Sequence, residues 1–167
     1  MTEPLPAAFS LRAYQARDLP AIVGLFQAAV SQLTAQHYDR AQRQAWAPAL
    51  SDMPAWQTRL ASLDLLIAED GQAIAGFIGF TSNGHIDLLF TAPVYARQGV
   101  ATALYAAAEQ RLRTAGAREL FTEASLTARP FFARQGFSEE QAQTVTRGAV
   151  TLPRFAMRKI LEPQWTP

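Results

Sequence analysis

The run "IDLLFTAPVYARQGVATALYAAAEQRL" at residues 86–112 constrains the fold more than any other stretch of the chain. Its apolar start has strand character and must stop at Pro93, which has no N–H to give to a ladder. The chain then turns through Val94 to Gln98 and enters, at Gly99, an alanine-rich segment that reads as a helix over about 99–115. Val100, Leu104, Ala107, Ala108 and Leu112 recur at helical spacing and form one apolar stripe for a sheet. The first turn is bare by contrast: Gly99, Ala101 and Ala103 are small, and Thr102 adds a hydroxyl donor. A helix N-terminus offers unpaired N–H groups and a partial positive charge, so a bare one is open to a bulky anion. The other reading is a plain amphipathic helix whose alanines reflect helix propensity. On this stretch alone the two are close. Neither G-x-x-x-x-G-K-[ST] nor G-x-G-x-x-G occurs, which argues against a Walker loop and a Rossmann turn.

The other segments fall around this run. "FSLRAYQ" (9–15) reads as a first strand, and the following segment (17–33) as a helix with Asp18 as N-cap and Pro20 in its first turn. Ile22, Leu25, Phe26, Ala29 and Val30 supply its buried face. Residues 34–62 read as two short helices broken near Pro48 and Pro54. Three strands follow at 64–70, 73–82 and 85–92, joined through Asp70-Gly71 and Asn83-Gly84, both strong hairpin signals. After the long helix come a strand at 119–125, a short helix at 128–135, and two strands at 137–147 and 149–161. The class is α/β with a mixed sheet. With no repeat, low-complexity tract or linker, residues 1–167 read as one domain whose core spans about 9–161.

Composition removes several kinds of function. The chain is 49% apolar and 17% charged, as in an ordinary folded protein, and its net charge of +1 offers no broad field for nucleic acid or an anionic membrane. The absence of cysteine excludes disulfides and a thiol nucleophile, and with only His37 and His85 no metal site is expected. No basic start leads into an apolar run, and no segment nears the ~20 apolar residues of a membrane span, so a cytoplasmic protein is expected.

Taken with "TEASLTARPFFARQGF" (122–137), the run from Ile86 resembles the acyl-CoA-binding core of the GNAT superfamily of N-acyltransferases. That family carries Q/R-x-x-G-x-G/A between a strand with its proline and the central helix. Gly99 and Ala101 match the last two signature positions; Ala96 stands at the first, with Arg97 and Gln98 beside it. The resemblance extends in element order over nearly the whole chain. It implies a single-domain fold with a mixed, mostly antiparallel sheet of about six to seven strands flanked by helices. It also implies acetyl-CoA as cosubstrate, no metal, and transfer of an acetyl group to a primary amine of a small molecule or peptide.

Site residues follow from the same resemblance. Phe90 and Thr91 match strand positions whose backbone pairs with pantetheine. Arg97, Gln98, Gly99, Val100, Ala101 and Thr102 match the pyrophosphate loop. Ser125 matches the polar end of the fifth strand, and Phe131 lies in the helix that flanks the thiol arm. Phe132 occupies the position where many members carry a tyrosine as general acid for the departing thiolate. A phenyl ring cannot give that proton, but general acid catalysis is typically worth ~10²–10⁴-fold, so turnover need not vanish.

The base that deprotonates the amine is read from strand geometry. Alternation puts His85, Asp87, Leu89 and Thr91 on one face, unless a bulge of the kind this family carries here intervenes. Asp87 or Glu123 is the expected base, directly or through a water, and His85 has the best-suited intrinsic pKa. "HYDRAQRQAWAP" (37–48) resembles a GNAT subgroup segment, which makes Tyr38, Gln42 and Trp46 candidates for the acceptor pocket. Arg147, in the turn before the last strand, could bind a carboxylate or phosphate. Two other readings stand beside the enzyme: a GNAT-like module that senses CoA or a ligand without turnover, and an interaction protein with no nucleotide site. A homodimer formed through the last strand is also open.

Overall fold

Proline and glycine fix where strands stop, and the stops fix the sheet. The computed structural model describes residues 9–48, 51–71 and 73–163. Its elements are β1 (Ser10–Ala13), α1 (Leu19–Leu33), α2 (Arg40–Trp46), α3 (Met53–Ala61), β2 (Asp64–Asp70), β3 (Ala73–Phe80), β4 (His85–Thr91), α4 (Val100–Thr114), β5 (Glu119–Ser125), α5 (Arg129–Arg134), β6 (Ser138–Arg147) and β7 (Val150–Ile160). Single 3-10 turns lie at Ala16–Asp18 and Pro93–Tyr95. The seven strands form one sheet in the order β1-β2-β3-β4-β5-β7-β6. All neighbours are antiparallel except β4 and β5. The mixed, mostly antiparallel α/β sheet expected from the sequence is what forms, with helices on both faces.

The β4–β5 junction is the weak seam of the sheet. Only His85 with Phe121 and Ile86 with Thr122 are paired across it, after which the strands part. Two causes are visible. The β3–β4 register skips so that Gly79 faces Leu88 and Phe80 faces Ile86, leaving Asp87 as the extra residue of a bulge. A bulge bends its strand and adds twist, which swings the rest of β4 away from β5. On its other side β5 stays fully paired to β7, from Glu119 to Ser125, and cannot follow.

Two apolar layers hold the sheet. One joins Ile78, Ile86, Leu120 and Met157 to Val100, Leu104 and Leu112 of α4. The other joins Ile67, Phe77 and Leu88 to Ile22, Val23, Phe26 and Val30 of α1. Each such side chain contributes ~1.5–3 kcal/mol by leaving water. Gly76 of β3 sets how closely α4 approaches. A Cβ there would lie 2.8 Å from Val100 Cγ1 and 2.9 Å from Phe90 O, so glycine lets the first turn of α4 settle on the sheet.

Three expectations need correction. Asp18 does not cap α1 with its side chain; that carboxylate is buried, accepts two bonds from Arg12 at 2.8 and 2.9 Å, and takes the Gln15 N–H. Pro54 does not break a helix but sits in the first turn of α3, behind Asp52, whose carboxylate accepts from the Ala55 N–H. The bulge at Asp87 also breaks the expected alternation. His85 and Asp87 share the α1 side, with ring and carboxylate turned to Glu123 and Arg59, whereas Leu89 packs with the α4 layer. Among the described residues no helix is long and apolar enough to cross a membrane.

Candidate active site

Where β4 leaves β5, its backbone loses a partner. The Ala92 N–H donates to Ala75 O at 2.8 Å on the β3 side. In an antiparallel ladder alternate residues bond the same neighbour, so Phe90 also turns its N–H and C=O to β3. Leu89 and Thr91 turn theirs into the gap. The expectation for Phe90 is therefore corrected: the open edge belongs to Leu89 and Thr91, and the Phe90 ring packs against Phe26 at 5.0 Å. The signal that would have found Leu89 is the bulge, which shifts the phase by one residue.

The gap leads to the start of α4. Gly99 takes φ of 84° as the helix N-cap, and Arg97 takes φ of 61° two residues earlier. The Ala103 N–H is the first to reach back, to Gly99 O at 3.0 Å. Consequently none of the six N–H groups from Arg97 to Thr102 has an acceptor among the described residues. Left-handed and right-handed residues in succession curl such N–H groups around a common point, a nest for an anion. Gln98 bends back to Val94 O at 3.1 Å and braces the turn, and Arg97 is exposed. Val100 is buried in the core, so Ala101 and Thr102 present only small groups. The donor set fits a diphosphate.

Beyond the gap a cavity of about 450 Å³ opens on the α1 side. Leu88, Phe90, Glu123 and Ser125 line it from the sheet, Phe132 borders it from the α4 layer, and Tyr38, Trp46 and Trp56 line it as well. Tyr38 is 3% exposed; its hydroxyl donates to Pro153 O at 2.6 Å and accepts from the Leu126 N–H at 2.9 Å. The hydroxyl is thus engaged as donor and acceptor, and burial pushes the phenol pKa up. Trp46 packs edge-on against Tyr38 at 5.5 Å. Gln42 is corrected: its side chain closes the N-terminus of α2 with Asp39 and donates to Thr151 O at 3.1 Å, and it does not border the cavity. Arg147 does border it.

Two acids border the cavity in different company. Asp87 lies on the bulge with both oxygens 3.3 Å from the Arg59 guanidinium. Glu123 Oε2 lies 2.6 Å from His85 Nε2, and His85 stacks on Phe121 with centroids 4.8 Å apart. Their contact raises the His85 pKa above its ordinary 6.5 and lowers that of Glu123 below its ordinary 4.5. Glu123 borders the cavity and His85 stands behind it.

Phe132 is 3% exposed, and its ring has no proton to donate. Phe131 packs against Tyr105 at 6.1 Å and away from the cavity wall. Ser125 Oγ accepts from the Ala128 N–H at 3.0 Å, and its own hydrogen has no acceptor among the described residues. Arg154, Arg59 and Trp56 also border the cavity and could not be read from the sequence, since nothing in single strands or short helices tells which side chains will meet across the sheet.

Comparison with known proteins agrees with this geometry. A family model described as an acetyltransferase (GNAT) domain matches residues 34–161. YafP of Escherichia coli strain K12, an uncharacterized N-acetyltransferase, is 34% identical over 148 residues, covering 89% of this chain and 93% of the relative. The crystal structure of a GCN5-related N-acetyltransferase from Rhodopseudomonas palustris superposes with a TM-score of 0.90 at 32% identity, over 96% of this chain and 100% of that one. PaiA N-acetyltransferase of Thermoplasma acidophilum, solved with coenzyme A, shares the fold at 18% identity with a TM-score of 0.69, over 92% and 99% of the two chains.

Proposed function

The chain belongs to the GNAT superfamily of N-acetyltransferases, and from that premise we propose that it transfers an acetyl group from acetyl-CoA to a primary amine by direct attack, with both substrates bound. One observation carries the cofactor half of this reading: six consecutive N–H groups without an acceptor among the described residues, at the end of a strand edge that also lacks one there. Acetyl-CoA would supply the activated acyl carbon and leave as the thiolate. The residues that would hold it are Arg97 to Thr102 at the diphosphate, Leu89 and Thr91 along the pantetheine arm, and Ser125 and Phe132 at the sulfur end.

This chain's own groups then have distinct tasks. The cavity brings amine and acyl carbon together, and near-attack positioning alone can contribute ~7–11 kcal/mol. Glu123 borders the cavity and takes the amine's proton, with His85 Nε2 placed to receive it and leave the carboxylate ionised. Backbone N–H groups on the open edge of β4 stabilise negative charge as it grows on the carbonyl oxygen. Ser125, with a hydrogen to offer, is the side chain suited to hydrogen-bond the departing thiolate, which then takes its proton from water.

Phe132 favours a second reading, a domain that binds CoA as a sensor without turnover. Calorimetric titration with acetyl-CoA and CoA tests what the two share, and a screen of amines separates them. Micromolar binding is expected, and Ala101→Glu should abolish it by setting a carboxylate where the diphosphate lies. A folded wild type that ignores CoA up to millimolar concentration, or an Ala101→Glu variant of unchanged affinity, would overturn the cofactor assignment.

A further inference from the structure

The cavity contains basic side chains that acetyl transfer does not require. Two acids on its wall face a basic group, Asp87 with Arg59 and Glu123 with His85, while Asp52 at the start of α3 meets only the neutral Ala55 N–H. Arg147 and Arg154 are not matched in this way. Arg154 Nε donates to the neutral Gln143 Oε1 at 3.0 Å, and the Arg147 guanidinium has no polar partner among the described residues. Arg12, Arg59, Arg113, Arg129 and Arg158 face carboxylates, and what sets Arg147 and Arg154 apart from other arginines without one, such as the exposed Arg97, is that they border the cavity.

Register places the two arginines together. β6 and β7 pair Gln143 with Arg154, Val145 with Leu152 and Arg147 with Val150. Partners share a face and alternate residues return to it, so Arg147, Val145, Leu152 and Arg154 project to one side of the hairpin. That side is the cavity wall. The two Cα atoms are four ladder positions apart, roughly 13 Å, which long guanidinium arms can bridge from both ends. Arg154 lies opposite Ser125 of β5, and its charge acts on both Glu123 and His85. The hairpin wall therefore carries two guanidinium groups without a carboxylate partner, Arg154 near Glu123 and Arg147 farther along.

We infer that the acceptor is a small amine that also carries a carboxylate or phosphate, its anionic group held by Arg154 and Arg147 and its amine turned toward Glu123. A simple alkylamine or a lysine side chain could meet Glu123 but would bring nothing to pair with the two guanidinium groups on the hairpin wall. An amine with its own anion can meet both, and guanidinium binds carboxylate or phosphate through paired N–H groups. Trp46 and Trp56 leave room for an apolar body between the two ends. The inference rests on the acetyl-transfer reading above.

The test is a panel of matched amines: amino acids, their amides, their decarboxylated amines, and aminoalkyl phosphates. CoA release is followed by a thiol assay, and the melting shift of the CoA-bound protein is followed in parallel. Anionic members should exceed their amides roughly 10- to 100-fold in kcat/KM, and that ratio should fall toward one in Arg154→Gln and in Arg147→Gln. Carboxylates and phosphates are told apart by which arm leads. If no member turns over but anionic ones stabilise the wild type and not the variants, acetyl transfer fails and the anion pocket stands. Equal handling of acids and amides, ratios unchanged in both variants, or no response to any member would overturn the inference.

Discussion

Glu123 and His85 share one proton, and their contact decides the pH at which it moves. The raised His85 pKa means that imidazole becomes free to accept a proton only above 6.5. The rate at saturating acetyl-CoA should therefore rise with pH through a single ionisation lying above that value. Glu123→Gln should move this limb back toward 6.5 and lower the rate ~10²–10⁴-fold, while a wild-type profile flat from pH 6 to 9 would remove the pair from the chemistry. Stability runs the other way. His85 gains a partner on folding, so its contribution is fully present below 6.5 and is lost as pH rises through the folded pKa. Glu123 is depressed on folding, so its contribution is present above 4.5 and is lost as pH falls through its folded value. The pair thus stabilises most between these two limits and acts as a base only beyond the upper one.

At the scale of elements, Tyr38 is a strut. One phenol joins the segment after α1 to the ends of β5 and β7 by satisfying Leu126 N–H and Pro153 O together. Pro153 lies one residue past the β5 pairing, where β7 has no ladder bond to lose on that side. Tyr38→Phe should cost about 1–3 kcal/mol, because both buried partners remain. Scanning calorimetry should show a drop of roughly 2–4 °C per kcal/mol for a chain of this size, and an unchanged Tm would mean that water replaces the hydroxyl. The order of the elements was legible in the sequence because Pro93, Asp70-Gly71 and Asn83-Gly84 are local signals with one mechanical meaning each. Glu123 and Arg147 were read from their strand and turn positions, and Ser125, Phe132 and Trp46 from the family resemblance; all five border the cavity. Phe90 and Gln42 were misassigned because a one-residue bulge and a reciprocal helix cap leave no mark in periodicity. Arg154 was missed because its importance comes from residues of β5 and β6 that are its neighbours in space rather than in sequence.

For the molecule as a whole, the seam between β4 and β5 divides the sheet into blocks of four and three strands. A ligand that binds both the open edge of β4 and the nest before α4 should brace the seam. At CoA one hundred times its dissociation constant, mass action adds about 2.7 kcal/mol, or roughly 5–10 °C in Tm. Amide exchange should slow at Leu89, Thr91 and residues 97–102 on binding, with Phe90 already protected in the free protein by its bond to β3. Uniform protection along β4 in the free protein would contradict the one-residue shift that the bulge at Asp87 imposes on the strand.

Two cross-seam pairs are a deliberate incompleteness in the sheet, and they imply a trade between durability and use. Any set of substitutions that straightened β4 at Asp87 and zipped it to β5 would satisfy more of the backbone and would give a hardier protein. It would also fill, with the chain's own atoms, the hydrogen-bonding capacity that is now kept for a guest. Selection for heat resistance alone should therefore drift toward closing the seam, and the survivors should be the most stable and least active of their lineage.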